Sequence, residues 1–324
     1  MKATLALLGL PFVLAFATAQ AADLQPAEAA FAAGRYDEAL PLFQAALADP
    51  AKAAQAHHYL GRIALRQGDA EKAQDEFESA IKIDGNNPEY HFQLGSALCN
   101  QAQSANMFSA LGLAKDCVAE FEKAVDLAPD NLDYRQGLFE FYLGAPGIAG
   151  GGEDKAAATA EAIGTRDPAL GLALKAKIAA HDEDFAKAET LLKDALAKAE
   201  AKDQPAYRLQ LGLMYQQAER YADARNEFSA LTRQKPDAYA AYYQLGRTAV
   251  LAKTELDAGA EALRTYLKAP EDGERPSHAW AHFRLGQLYL LMGKKDEGKA
   301  ELAQAALDQD DQRLRKELGK IKLR

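Results

Sequence analysis

The residues of this chain with the most exacting chemistry are its six histidines and two cysteines. His278 and His282 stand four apart in SHAWAH, so on a helix they share a face and could offer two nitrogens to zinc. The glutamate that a zinc hydrolase keeps between such histidines is missing, and no third ligand lies nearby. Solvent-facing or packing imidazoles are the better reading, and no metal is expected. His57, His58 and His91 recur in neighbouring segments, with His58 placed where a partner could meet it. In an oxidising compartment the pair Cys99 and Cys117 suggests a disulfide, with no CxxC redox motif. Cys117 also occupies a position suited to a small buried residue, so bridged and free cysteines both remain open. Gly147 to Gly152 has the G-x-x-x-x-G spacing of a phosphate loop, but Glu153 and Asp154 follow where Lys and Ser/Thr belong. Two carboxylates there repel phosphate and suit a helix N-terminus. The stretch reads as a flexible loop before a helix, with contact to a partner as the alternative. No Gly-x-Ser-x-Gly elbow, zincin helix or cysteine-nucleophile arrangement is present. Neither an enzyme nor a cofactor is expected.

Positioning such residues falls to helices. Ala and Leu dominate the 324 residues, and both lose little freedom in a helix. The formal charge of −9 argues against nucleic acid as a partner, since phosphate would be repelled. At the N-terminus Lys2 precedes an apolar run from Leu5 to Phe16. Small-residue sites follow at Ala17-Thr18-Ala19 or Ala19-Gln20-Ala21. This is the layout of a cleaved signal peptide over 1–21, with the bacterial periplasm as the expected compartment. The run is short for a membrane span, and no other apolar stretch is long enough for one.

Internal periodicity organises the remainder. Gly61, Gly68, Ala73, Phe77 and Ala80 punctuate LGRIALRQGDAEKAQDEFESAI, and Gly95 lies 34 residues beyond Gly61. Gly212, Tyr215, Tyr221, Ala224 and Phe228 repeat these spacings, and Gly246 again lies 34 beyond Gly212. Gly286, Tyr289, Gly293 and Leu302 do so a further time. Each period reads as two amphipathic helices joined by a short Gly/Asp turn. Small residues let the two backbones approach, and Pro129, Pro168, Pro236 and Pro270 end second helices. One such hairpin cannot bury its apolar face, so stability must come from stacking.

These glycine, alanine and aromatic positions resemble the tetratricopeptide repeat family over most of the chain, and in particular uncharacterised secreted bacterial members. The resemblance implies an all-α fold, an α-solenoid that winds as a right-handed superhelix of helical hairpins with a concave groove. About eight hairpins fit within 22–310, starting near 20, 54, 88, 132, 169, 205, 239 and 279. A polar capping helix is expected over 311–324. Inserts near 101–112, 144–152 and 271–278 break the period; the first, rich in Met107, Phe108, Leu111 and Leu113, suggests extra helical turns.

In this family certain positions of each first helix face inward. The resemblance therefore implies a partner-binding groove at His58, Arg62, Arg66, Phe92, Asn100, Tyr243, Arg247, Trp280, Phe283 and Gln287. Arginine forks suit carboxylates and aromatic rings suit apolar anchors. The Lys-and-Asn constellation of chaperone-binding members is not recognisable. The expected function is a non-catalytic protein-interaction scaffold of the cell envelope, holding a peptide or partner helix. The alternative is a carrier or sensor of a small ligand, glycan or lipid in the same groove.

Overall fold

A computed structural model describes residues 23–271, 275–309 and 311–321. The leader over 1–21 lies outside them, as do parts of the insert near 271–278 and the end of the chain. Among the described residues the secondary structure is helical throughout, and the chain divides into two compact units, 1–152 and 153–324. Each unit is a helical solenoid.

The first unit holds three hairpins. They are α1 (Gln25–Ala32) with α2 (Tyr36–Ala46), α3 (Ala53–Arg66) with α4 (Ala70–Ile83), and α5 (Pro88–Ser104) with α6 (Met107–Leu127). Helix α7 (Leu132–Gly144) and a 3-10 turn, Gly147–Ala149, complete it. The second unit opens with α8 (Glu153–Gly164), which packs on α9 (Pro168–His181). Helix α10 (Phe185–Lys198) closes that hairpin. Then follow α11 (Gln204–Gln217) with α12 (Tyr221–Gln234), α13 (Tyr239–Ala252) with α14 (Leu256–Tyr266), and α15 (His278–Leu291) with α16 (Lys295–Ala305). The short α17 (Gln312–Gly319) covers the end, burying Leu314 against Phe283, Leu302 and Ala305.

Local chemistry sets where these helices begin and turn. Asn87 and Asp167 cap α5 and α9 by accepting from the backbone N–H groups of Glu89 and Leu170, at 3.0 and 2.9 Å. Pro88 and Pro168 occupy the first turn, where a missing N–H costs nothing. Pro168 thus opens a helix, where the sequence had suggested that it ends one. The residue that reverses the chain between the two helices of a hairpin is left-handed: Gly34 (φ 72°), Gly68 (φ 80°) and Gly293 (φ 76°). Glu183 (φ 61°) and Glu219 (φ 57°) take that same place with a side chain attached. In five hairpins a glycine of the first helix (Gly61, Gly95, Gly212, Gly246 or Gly286) admits a large side chain of the second. A Cβ on Gly61 would fall 2.6 Å from Phe77, and one on Gly212 would fall 2.4 Å from Phe228. Those rings are fully buried, so the glycine is the hole that the ring fills.

Successive first helices also touch one another, α3 with α5, α11 with α13 and α13 with α15. Successive second helices make no comparable contact. Within each unit, first helices therefore line the inner, more tightly curved side.

Candidate partner-binding surface

A histidine or arginine nitrogen on the first helix, paired with a glutamate on the second, locks four of the hairpins at a fixed register. His57 Nδ1 lies 2.7 Å from Glu76, Arg208 Nη1 lies 2.7 Å from Glu227, and His282 Nδ1 lies 2.6 Å from Glu301, each pair 19 residues apart. In the enlarged hairpin His91 Nδ1 meets Glu120 at 2.6 Å across 29 residues, the same register plus ten. Three of the six histidines are thereby spoken for. His278 is held by the carbonyl of Ala269, which its Nε2 meets at 2.9 Å, so it does not share a ligand with His282. No group of three His, Cys, Asp or Glu among the described residues is arranged to hold a metal ion.

In the first unit the inner face is largely closed on itself. His58 is only 7% exposed, packed among Tyr59, Phe77 and Tyr90, with Nε2 3.5 Å from Glu89. Glu89 also accepts from Tyr134 Oη at 3.0 Å and Gln93 Nε2 at 2.8 Å. Burial pushes the Glu89 carboxyl up, but these donors outweigh it and leave the group below the usual carboxylate range. Burial beside Glu89 pushes the Tyr134 hydroxyl up to about 12. His58 is thus a core residue that bridges repeats and is not open to a partner. Phe92 packs against Phe121 and Tyr134 and fills the space over Gly137, so it joins hairpins too. Arg62 is spread over the Phe31 and Tyr59 rings, at 4.5 and 5.5 Å. Only Arg66 and Asn100 are exposed.

The two inserts of this unit meet. Ten extra residues lengthen α5 and α6 at their shared tip, and a disulfide between Cys99 and Cys117 ties the two helices below it, Cα to Cα 5.5 Å. The Gly-rich insert is an ordered turn and not a flexible loop. Gly152 N–H donates to the carbonyl of Tyr142 at 2.8 Å, and Ala149 and Gly150 N–H groups donate to Pro146 and Gly147 at 2.9 and 3.0 Å. Those N–H groups are consumed, which removes the phosphate-loop reading. Between tip and turn lies an open apolar hollow of about 720 Å3, lined by Met107, Phe108, Leu111, Phe141, Pro146 and Ile148 among others. Phe108, Met107 and Ile148 are 87%, 79% and 71% exposed. The hollow escaped sequence reasoning because its walls come from inserts 40 residues apart.

The second unit presents a different inner face. Tyr243 and Phe283, read from the sequence as groove residues, are 5% and 1% exposed and belong to the core. Tyr243 packs on Tyr266, and Phe283 lies under α17. Arg247, Trp280 and Gln287 remain partly exposed on α13 and α15. Arg247 Nη1 donates to Gln216 Oε1 at 2.7 Å and, more weakly, to Gln244 Oε1 at 3.4 Å. Gln216 is buried and donates in turn to Thr248 Oγ1 at 2.6 Å. Burial, then the positive charges of Arg284 and Arg313, hold the Arg247 guanidinium below the usual arginine range. Arg284 Nη1 donates to Gln287 Oε1 at 2.9 Å, and its guanidinium lies over Trp280 and Phe283, at 5.7 and 5.3 Å. Arg313 reaches the same Trp280 ring at 5.8 Å from α17. Trp280 Nε1 donates to Asp311 at 2.7 Å. Arg284 and Arg313 are the residues that sequence reasoning missed. The signal was present, for Arg284 lies four residues past Trp280 and shares its helix face.

Comparison with known proteins fits this architecture. The tetratricopeptide repeat family matches at residues 30–98, 209–273 and 281–307. No curated protein sequence matches the chain. Among solved structures, human IFIT1 as a dimer with m7Gppp-AAAA is similar at 18% identity and TM-score 0.52, over 90% of this chain and 69% of that one. A tetratricopeptide repeat protein from Parabacteroides merdae is similar at 13% identity and TM-score 0.49, over 82% and 97%. A thermophilic one from Thermus thermophilus matches at 19% and TM-score 0.41, over 71% and 97%. At these identities the likeness concerns fold alone. No helix among the described residues is long and apolar enough to cross a membrane.

Proposed function

Because this chain belongs to the tetratricopeptide repeat family, we propose that it is a non-catalytic scaffold of the cell envelope that holds a segment of another protein on the inner face of its second unit. The family is typically a non-catalytic scaffold fold whose repeats mediate protein–protein interaction. The observation that carries the reading is the contrast between the two inner faces. In the first unit His58, Gln93 and Tyr134 gather on Glu89 and leave only Arg66 and Asn100 exposed, whereas in the second Arg247, Trp280 and Gln287 stand partly open together, with amide oxygens and rings as partners. A photo-cross-linking residue at Gln287, against one at Lys299 on the exposed side of α16, tests it in envelope extracts. An adduct at 287 and none at 299 supports the scaffold; equal labelling, or none, removes it. The leader sequence motivates the compartment, and secreted protein beginning at residue 20 or 22 is the outcome that fits. Recovery of the intact N-terminus in the cytoplasm refutes the envelope assignment.

The apolar hollow of the first unit favours a second reading, a carrier of a fatty acyl chain. Its volume and its exposed Phe108, Met107 and Ile148 suit a flexible hydrocarbon. Displacement of a fluorescent fatty acid from the wild-type chain, lost in Phe108→Glu, is the expected result. No binding by the wild type disposes of this reading.

A further inference from the structure

Several arginines of the second unit are matched by carboxylates. Arg208 has Glu227, Arg220 has Glu189 and Asp223, Arg225 has Glu255, and Arg264 has Glu261. Three others lie within electrostatic reach of one another. Arg247 on α13, Arg284 on α15 and Arg313 on α17 have no ion pair among the described residues, in a chain with 47 acidic residues against 38 basic ones. Their partners are the amide oxygens of Gln216, Gln244 and Gln287 and the face of Trp280. Arg284 Nε is buried without a hydrogen-bond partner. The carboxylates nearby are engaged elsewhere: Asp311 accepts from Trp280 Nε1 and from Leu314 N–H, and Glu317 from Lys320. Amide oxygens satisfy N–H donors but cancel no charge, so the repulsion among three guanidiniums is offset only in part, by Asp311 near Arg313 and Glu317 near Arg284.

The three are carried by successive elements on one face. Packed helices lie about 8–10 Å apart, more than one carboxylate or phosphate spans. Alternate side chains of an extended peptide recur every ~7 Å on one side of the strand, a spacing that can follow such a row. Building on the scaffold reading, we propose that Arg247, Arg284 and Arg313 form a recognition site for an extended acidic segment of the partner, with glutamates or aspartates at alternate positions and Trp280 as the platform between them. Guanidinium forks take carboxylates bidentately, and the Trp280 ring covers the aliphatic stems of the bound side chains.

Trp280 is the chain's one tryptophan, and two of the three guanidiniums lie on it, so its emission reports on the site. The test titrates the full chain with capped hexaglutamate, following Trp280 emission and the anisotropy of a labelled copy of the peptide. A saturable response is expected in dilute buffer, lost by about 0.5 M salt because exposed charges are then screened. Arg284→Gln is expected to weaken binding roughly tenfold, the loss of one charged hydrogen-bonding partner, and the triple glutamine variant to abolish it. Arg313 is exposed, so Arg313→Gln keeps the fold and still weakens binding severalfold if the assignment is right. No saturable response, or undiminished binding by the triple variant, overturns it. So does saturation by inorganic phosphate at lower concentration than the peptide, which would make this a free-anion site, or equal binding of oligothymidylate. Cross-linking from Gln287 separates the two claims. Adducts that survive the triple variant leave the scaffold standing and remove the acidic segment, whereas hexaglutamate binding with no adduct does the reverse.

Discussion

Glu219 and Gly68 occupy the same place in their hairpins, yet one is the residue this backbone prefers and the other pays for a side chain. A left-handed conformation crowds the Cβ of any L-residue against the following carbonyl, at about 1 kcal/mol. Glu219→Gly and Glu183→Gly are each expected to stabilise the chain by roughly 0.5–1 kcal/mol, read as a rise in the melting midpoint. Gly212→Ala goes the other way. Its Cβ would lie 2.4 Å from the buried Phe228 ring, so a loss of about 1–3 kcal/mol is expected in urea unfolding, and no loss would mean the ring can move. At this scale much was legible. The recurring glycine and the aromatic or leucine opposite it mark the hairpin because a ring needs a hole. What was not legible is which side chains on the inner helix face stay open. His58, Tyr243 and Phe283 share a register with Arg247 and Gln287, but burial is decided by the next hairpin along, and a single helix does not reveal its neighbour.

Among the elements, the lengthened α5–α6 hairpin and α17 show how far a repeat can depart from its template. The disulfide closes an 18-residue separation, and chain entropy assigns such a link about 3 kcal/mol. Cys99→Ser with Cys117→Ser is therefore expected to lower the midpoint markedly and to loosen the tip, so that protease cuts first near residue 106. Unchanged cleavage would show that helix packing alone holds it. Sequence left the bridge undecided because Cys117 is wholly buried at a site where alanine stands in other repeats, and burial suits thiol and disulfide alike. The Gly-rich insert was legible as an interruption but not as a structure. Its order comes from hydrogen bonds back to the end of α7 that no local pattern announces. At the other end, ending the chain after residue 308 would uncover Phe283 and Leu302, so a loss of solubility is expected beside the full-length protein.

For the molecule as a whole, acid is the condition that separates structural charge from ornamental charge. Glu189 on α10 is held by hydrogen bonds from Lys193 first, then Arg220 and Tyr215 on the next hairpin, which bring it to about 2 against its ordinary 4.5, despite burial acting the other way. A carboxyl lowered on folding contributes stability above its unfolded value and loses it as pH falls towards its folded one. The window is therefore from about 4.5 down to about 2. Lys193 and Arg220 are largely exposed, and solvent screening reduces the contribution to about 1 kcal/mol. Glu189→Gln is expected to flatten that acid limb, and a parallel loss of midpoint in mutant and wild type would refute the assignment. The solenoid itself was the most legible level, since a 34-residue recurrence leaves few other ways to bury so many alanines and leucines. The enlarged hairpin carries the same lesson further. Ten residues are close to three helical turns, and sharing them between α5 and α6 left the His91–Glu120 lock in phase with its counterparts. Novelty is thus confined to the free end of a spoke while the hub keeps its geometry, so this protein's lineage could lengthen, decorate or trim that end without disturbing the joints on either side.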